Sequence, residues 1–415
     1  MNRLGSEPPD DVDLTDSALY ANGFPHEVFS TLRGDNPVRW QPFADHGDGH
    51  DEGFWVLTKH ADIEAANRDT SLFSTLDGPQ LSHQPEMAGN MMVSMEGEAH
   101  ARHRRLISAG FTPRMVKQLE QQIRQWAESL VDAALDLGEC DFVSEVAYPL
   151  PMNMIADIVG IPVEDRDWLF TLANEFLLGS APEHAMTAEE HLAAQVRMFE
   201  YALELGQEKR ANPKDDVWTI LSTITVESDD GERSGLSEIE LDLFFILLVV
   251  AGSETTRNAV SQGLLAMLQH PEQLDRLRKH PETLPSAVEE VLRWSSPVSY
   301  FARRATRDTE ISGVHIAAGE RITMWYPSGN RDADVFDEPF RFDIERTPNR
   351  HMAFGGGGAH YCLGANLARR ELATLFDVLL ERTQRIELTG EPAYASLGIL
   401  NPILVFMSQL PVRVA

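Results

Sequence analysis

The run Phe354-Gly355-Gly356-Gly357-Gly358-Ala359-His360-Tyr361-Cys362-Leu363-Gly364 constrains this chain more than any other stretch. Consecutive glycines open backbone conformations closed to other residues, and let the chain lie flat against a large planar surface with no Cβ in the way. They deliver a cysteine to the head of an apolar-periodic segment, where Ala368, Leu372, Leu375, Phe376 and Leu379 recur at helical spacing. A thiol there meets free backbone N–H groups and the positive end of the helix dipole. Both favour thiolate, the form that binds metal. His360 and Arg369 add cationic neighbours.

A lone thiolate behind a glycine loop fits the axial ligand of a haem. Other readings of the loop have less support. Gly356-x-Gly358 lacks the third glycine of a dinucleotide fingerprint, and no Lys-Ser or Lys-Thr follows to make a phosphate loop. A nucleophilic Cys–His pair gains little from adjacency in sequence. The run resembles the cysteine loop of the cytochromes P-450, the haem-thiolate monooxygenases, in their soluble bacterial form. Gly358, His360, Cys362 and Gly364 match that pattern. Phe354 lies one residue too far upstream, so the loop carries an extra residue. The resemblance implies that Cys362 ligates the iron and that Phe354, His360 and Gly364 contact the cofactor, haem b.

A second block agrees. Ala251-Gly252-Ser253-Glu254-Thr255-Thr256 interrupts an apolar helix, directly after Leu243 to Val250. A buried Glu is costly unless paired, hydrated or used, and Gly252 costs a helix about 1 kcal/mol relative to Ala. The pair reads as a local weakening that makes room for a small ligand and water; the plain alternative is a solvated polar stripe. The block resembles the family's oxygen-binding motif. That implies that Ala251 lies against the haem, Thr255 hydrogen-bonds bound dioxygen and Glu254 relays protons from solvent. With Cys362, these two are the expected catalytic residues.

Haem propionates require cations or donors. His100 and Arg104 lie four residues apart on one helical face. They resemble the family's propionate-binding pair, with Arg303 and His360 completing the set and Arg304 competing with Arg303. Without the resemblance, a surface basic stripe is the simpler reading, since Arg102 and Arg105 lie alongside. Glu290 and Arg293, at i and i+3, resemble the family's buried structural pair, with Arg331 or Arg346 as third partner.

Composition sets the outer limits. A chain of 415 residues, 43% hydrophobic, can bury a large core. Two cysteines, Cys140 and Cys362, argue against a disulfide framework, and Cys140 reads as a small core residue. A net charge of −30 makes nucleic acid an unsuitable partner. The longest apolar run, Leu243 to Ala251, is well short of the roughly 20 residues of a membrane helix. A cytoplasmic monomer without membrane anchor is expected.

Helical spacing covers Ala101–Leu106, Val116–Leu137, Met152–Val159, Ala188–Glu208 and Ser237–Gln269, the last opened by a Ser237-x-x-Glu240 capping box after a turn at Asp229-Asp230-Gly231. Ile311–Ile316 and Glu320–Trp325 read as short strands. The fold class is therefore α-dominated α+β. The resemblance implies a single triangular prism, with haem between the oxygen-binding helix and the cysteine-loop helix and small sheets at one side. Residues 1–16 are expected to form a disordered acidic tail and 17–415 a single domain.

The function these parts imply is activation of O2 and hydroxylation of an unactivated C–H bond in a hydrophobic terpenoid, steroid or lipid. By resemblance, the pocket comprises Leu247, Val250, Ala251, Ser299 and Phe301. Met91, Met92 and the Phe176–Met186 loop add a flexible apolar wall. No flavin or iron–sulfur motif is present, so electrons come indirectly from NAD(P)H through a ferredoxin reductase and a ferredoxin. Arg102, Arg105, Arg114, Lys117, Arg369 and Arg370 are the expected docking patch. The alternatives are a peroxide-driven peroxygenase, or a non-catalytic haem sensor or electron carrier.

Overall fold

The computed structural model describes residues 12–43, 52–81, 89–111, 113–178, 186–227, 233–396 and 403–415. Eight helices position the site: α1 (His60–Arg68), α2 (Gly97–Gly110), α3 (Pro113–Leu137), α4 (Pro149–Val159), α5 (Ala188–Ala211), α6 (Glu238–Gln269), α7 (Leu284–Ser295) and α8 (Ala365–Arg382). Each expected helix is present; four extend beyond the stretch that announced them, and α6 begins one residue later than expected, with Ser237 as its N-cap. The tail up to residue 11, the turn at 229–231 and residues 179–185 of the expected pocket loop lie outside the described residues.

The centre of the molecule is α6. Leu241, Phe244, Phe245, Ile246, Val249, Val260 and Leu264 are buried around most of its circumference, so no single polar face is left for solvent. Its start is the expected capping box: the Glu240 N–H donates to Ser237 Oγ at 3.3 Å and the Ser237 N–H donates to Glu240 Oε2 at 2.8 Å. Helices α4, α5 and α7 pack along it. At Gly263 a Cβ would fall 2.6 Å from Val291 of α7 and 3.0 Å from Phe376 of α8. Only glycine permits that three-helix crossing.

Two apolar clusters flank α6. One joins its C-terminal half to α3, α7 and α8 through Val260, Leu264, Val291, Leu372 and Phe376. The other joins its N-terminal half to α2, α4 and α5 through Ile107, Ile155, Met198 and Phe245.

The main sheet has five strands: β1 (Val38–Pro42), β2 (Gly53–Leu57), β3 (Phe73–Ser74), β4 (Tyr300–Ala305) and β5 (Arg321–Trp325), in the order β1-β2-β5-β4-β3. β4 and β5 are antiparallel with Arg303 opposite Ile322, whereas β2 and β5 are parallel. The expected strand at Ile311–Ile316 is instead a tight hairpin, turning at Ser312 and Gly313 with φ of +48° and +84°. Helices beside small sheets give the expected α-dominated α+β architecture.

Candidate active site

Cys362 lies two residues before Gly364, the N-cap of α8, rather than inside the helix. Its side chain reaches an open surface although protein surrounds it on most sides. Burial pushes its thiol up, opposed by backbone N–H groups of Gly364 and Ala365 and by the charges of Arg104 and Arg369. The helix start therefore moderates the desolvation without overcoming it, and a bound metal must displace the proton.

Gly355, Gly356, Gly357 and Gly358 all have positive φ, at +93°, +63°, +109° and +82°. A Cβ on Gly358 would lie 2.9 Å from the Asn67 carbonyl oxygen at the end of α1. The glycines are thus required by backbone conformation and by the approach of α1, beyond any flatness towards a ligand. The extra loop residue is absorbed within this stretch. The Cys362 N–H still donates to the Phe354 carbonyl at 3.1 Å, which keeps Phe354 beside the cysteine.

Next to the loop, basic groups gather around a single nearby acid, Glu96, whose carboxylate accepts from the Thr75 N–H. The His100 and His360 rings stack at 4.3 Å, tilted by 22°. Arg104 donates to the carbonyls of Ala359 and Tyr361 at 3.2 and 2.8 Å. Arg303 is 2% exposed. Burial, then the charges of Arg303, His100 and Arg104, depress His360 to about 3. Arg303 Nε and His360 Nε2 have no hydrogen-bond partner among the described residues. Buried donors crowded by like charge are stable only with an anion beside them. Strand alternation separates the two arginines: Arg303 is buried beside His360, whereas Arg304 points the other way, into an ion pair with Asp77.

On α6 the acid and the alcohol are not joined. Thr255 Oγ1 donates to the Ala251 carbonyl at 2.7 Å. Glu254 is fully buried in an ion pair with Arg257, whose guanidinium lies 4.5 Å from the Phe406 ring and 5.6 Å from that of Tyr148. Burial pushes the Glu254 carboxyl up, and Arg257 opposes it. The expected helix weakening at Gly252 is absent: α6 runs unbroken, and a Cβ at Gly252 would come within 3.1 Å of Ile155. That glycine serves the packing of α4 on α6.

Leu243, Leu247, Val250, Ala251 and Thr255 stay partly or fully exposed along α6, and they follow one face. Met91, Met92, Leu247, Val250, Phe176 and Met186 share one apolar cluster with Leu363 and Leu367, which flank the cysteine and begin α8. Ser299 is more enclosed than these. It is 1% exposed, its N–H donates to the Ile403 carbonyl at 2.8 Å and its carbonyl accepts from the Tyr326 N–H at 3.0 Å. The partly buried side chains there are Val298 and Phe301.

The basic patch is largely neutralised. Arg102 is held by Glu240 at 3.0 Å and tethers α2 to the start of α6. Arg105 pairs with Glu98, Arg114 with Asp215, Arg370 with Glu120, and Arg369 with Glu289. Lys117 has no acidic partner among the described residues and is exposed.

Glu290 and Arg293 are both fully buried, joined by two bonds of 2.7 Å. The third partner is Arg346, whose Nε donates to Glu290 Oε2 at 3.2 Å. Arg331 instead donates to the Trp294 carbonyl at 2.8 Å and lies over that ring.

The comparisons agree with this geometry. The family model described as "Cytochrome P450" matches residues 153–284 and 279–384. The chain belongs to the cytochrome P450 family. It is 38% identical to a steroid C26-monooxygenase of Mycobacterium tuberculosis, over 95% of this chain and 92% of that one. It is 40% identical to a methyl-branched lipid omega-hydroxylase of Mycobacterium bovis, over 99% and 97% of the two chains. Mycobacterium marinum cytochrome P450 CYP268A2, solved in complex with pseudoionone, superposes with a TM-score of 0.88 at 35% identity, covering 98% and 99%. This P450 is a monooxygenase, and its family implies haem iron and O2. The residues present fit that group: the orphaned donors on Arg303 and His360 sit by the cysteine loop, where propionates would require them. No described helix is long and apolar enough to cross a membrane.

Proposed function

We propose that this P450 hydroxylates a terpenoid, steroid or branched lipid, using electrons passed from NAD(P)H through a separate reductase and ferredoxin. The observation carrying the substrate class is the apolar stripe Leu243–Leu247–Val250–Ala251. It runs along α6 to Thr255 and shares its cluster with Leu363, the neighbour of Cys362. A wall of this kind orients by shape and excludes water. The three relatives' names support the same class.

Haem held by Cys362 supplies oxygen activation, with one oxygen atom inserted into the substrate and the other leaving as water. His100, Arg104, Arg303 and His360 would hold its propionates, and Phe354, Ala251 and Gly364 would lie against its ring. Thr255 has its proton on the Ala251 carbonyl, so its oxygen lone pairs can only accept, which suits it to hold a proton-bearing group in the pocket. Glu254 is the proton store behind it, kept in place by Arg257.

Thr255→Ala tests the assignment. NADH consumption should continue while most of the consumed electrons appear as hydrogen peroxide instead of product. Unchanged coupling would favour the peroxide-driven reading.

A further inference from the structure

Behind the cysteine loop lies a closed set of side chains with no part in the reaction above. Arg369, on α8, donates from Nε to Glu289 Oε1 at 2.6 Å and from Nη2 to Glu289 Oε2 at 3.0 Å. His351, just before the loop, meets Glu289 Oε2 at 2.9 Å. The Arg369 guanidinium lies 4.6 Å from the Phe354 ring, and its Nη1 donates to the Tyr361 hydroxyl at 3.4 Å. Phe354 is thus enclosed by Arg369, His351 and Tyr361, while its carbonyl takes the Cys362 N–H. Arg369 thus stands over the ring of the residue whose carbonyl holds the Cys362 N–H, and its charge is felt at the sulfur.

We propose that Glu289 is a positioning and charge-balancing residue for Cys362: it fixes Arg369 over Phe354 and offsets the pull of that cation on the sulfur. This rests on the haem-thiolate reading of Cys362. Although burial pushes the Glu289 carboxyl up, His351 and Arg369 hold it at about 2, so the offsetting charge persists at any working pH. A cation beside a thiolate withdraws electron density and favours the more negative, reduced state of the centre; an anion beside that cation cancels the effect. The step concerned is the addition of one electron at the iron. No bond forms and no proton moves.

The test is a spectroelectrochemical titration of the haem-loaded protein, with dithionite as reductant and redox mediators. Glu289→Gln keeps the shape and one acceptor oxygen while removing the charge, and should shift the midpoint potential upward. Arg369→Gln should shift it downward. The double variant should return close to the wild-type value. A purely structural role would move both single variants in the same direction, or neither, and either result overturns the proposal. The ferrous–carbonyl spectrum of each variant is the control. A wild-type protein without the red-displaced Soret band overturns the haem-thiolate reading itself. A normal band with unmoved potentials overturns only the role of Glu289.

Discussion

Two buried charge clusters of this P450 are built on opposite plans. In the Glu290 cluster the carboxylate accepts from Arg293, Arg346, Asn349 Nδ2 and the Asp343 N–H, and Arg293 spends its remaining donors on the carbonyls of Asn330, Pro339 and Arg341. Every charged group is answered by another part of the chain. In the His100–Arg303–His360 cluster, Arg303 and two histidines whose protonation their surroundings oppose lie together, and Glu96, the nearby acid, accepts instead from the Thr75 N–H. A complete cluster fixes the fold; an incomplete one marks where an outside anion belongs.

Variants can break or sharpen that contrast. The largest effect is expected at the complete cluster. Glu290→Ala leaves two buried arginines facing each other and should cost about 3–5 kcal/mol, read as a lower urea midpoint with or without haem. Equal midpoints for variant and wild type would show that the cluster does not carry the fold.

Glu371, on α8, extends the comparison to an isolated acid. It is 3% exposed, and burial alone pushes it up to about 8. A raised carboxyl resists ionisation in the folded state. Its neutral form is fully stabilising below the unfolded value near 4.5, and that stability is lost as pH rises through 8. Glu371→Gln should therefore gain on the order of 3 kcal/mol over wild type between pH 5 and pH 8. A pH-independent difference in urea midpoints would count against this.

The smallest effect belongs to the incomplete cluster. Arg303→Gln should leave the apoprotein as stable as before, or slightly more so. It should weaken haem binding by about 1.5–3 kcal/mol, on the order of 10- to 100-fold, measured by transfer of haem to apomyoglobin. A destabilised apoprotein with unchanged haem retention would make Arg303 a structural residue.

Much of this was legible along the chain. The helices, the Ser237 cap and the cysteine loop announce themselves through local periodicity and glycine density. What stayed hidden depends on neighbours remote in sequence. Gly252 read as a weak point because Ile155, which needs its space, belongs to another helix. Ser299 read as pocket-lining, and its burial depends on Ile403 and Tyr326, which bond its backbone from remote segments. The arginines around Cys362 read as a basic patch, but α3, α6 and α7 supply the acids that pair with most of them.

The sequence by itself determined the chemistry, because a lone cysteine behind four glycines and an acid–alcohol pair in an apolar helix are local patterns with few other uses. It also placed Glu290 and Arg293 together, since i and i+3 meet on any helix. Only the tertiary structure decided that Arg346 joins them rather than Arg331, that Arg303 rather than Arg304 faces His360, and that Glu289 restrains Arg369. Long side chains reach several partners, and which one they take is set by how loops and strands distant in sequence are brought beside them.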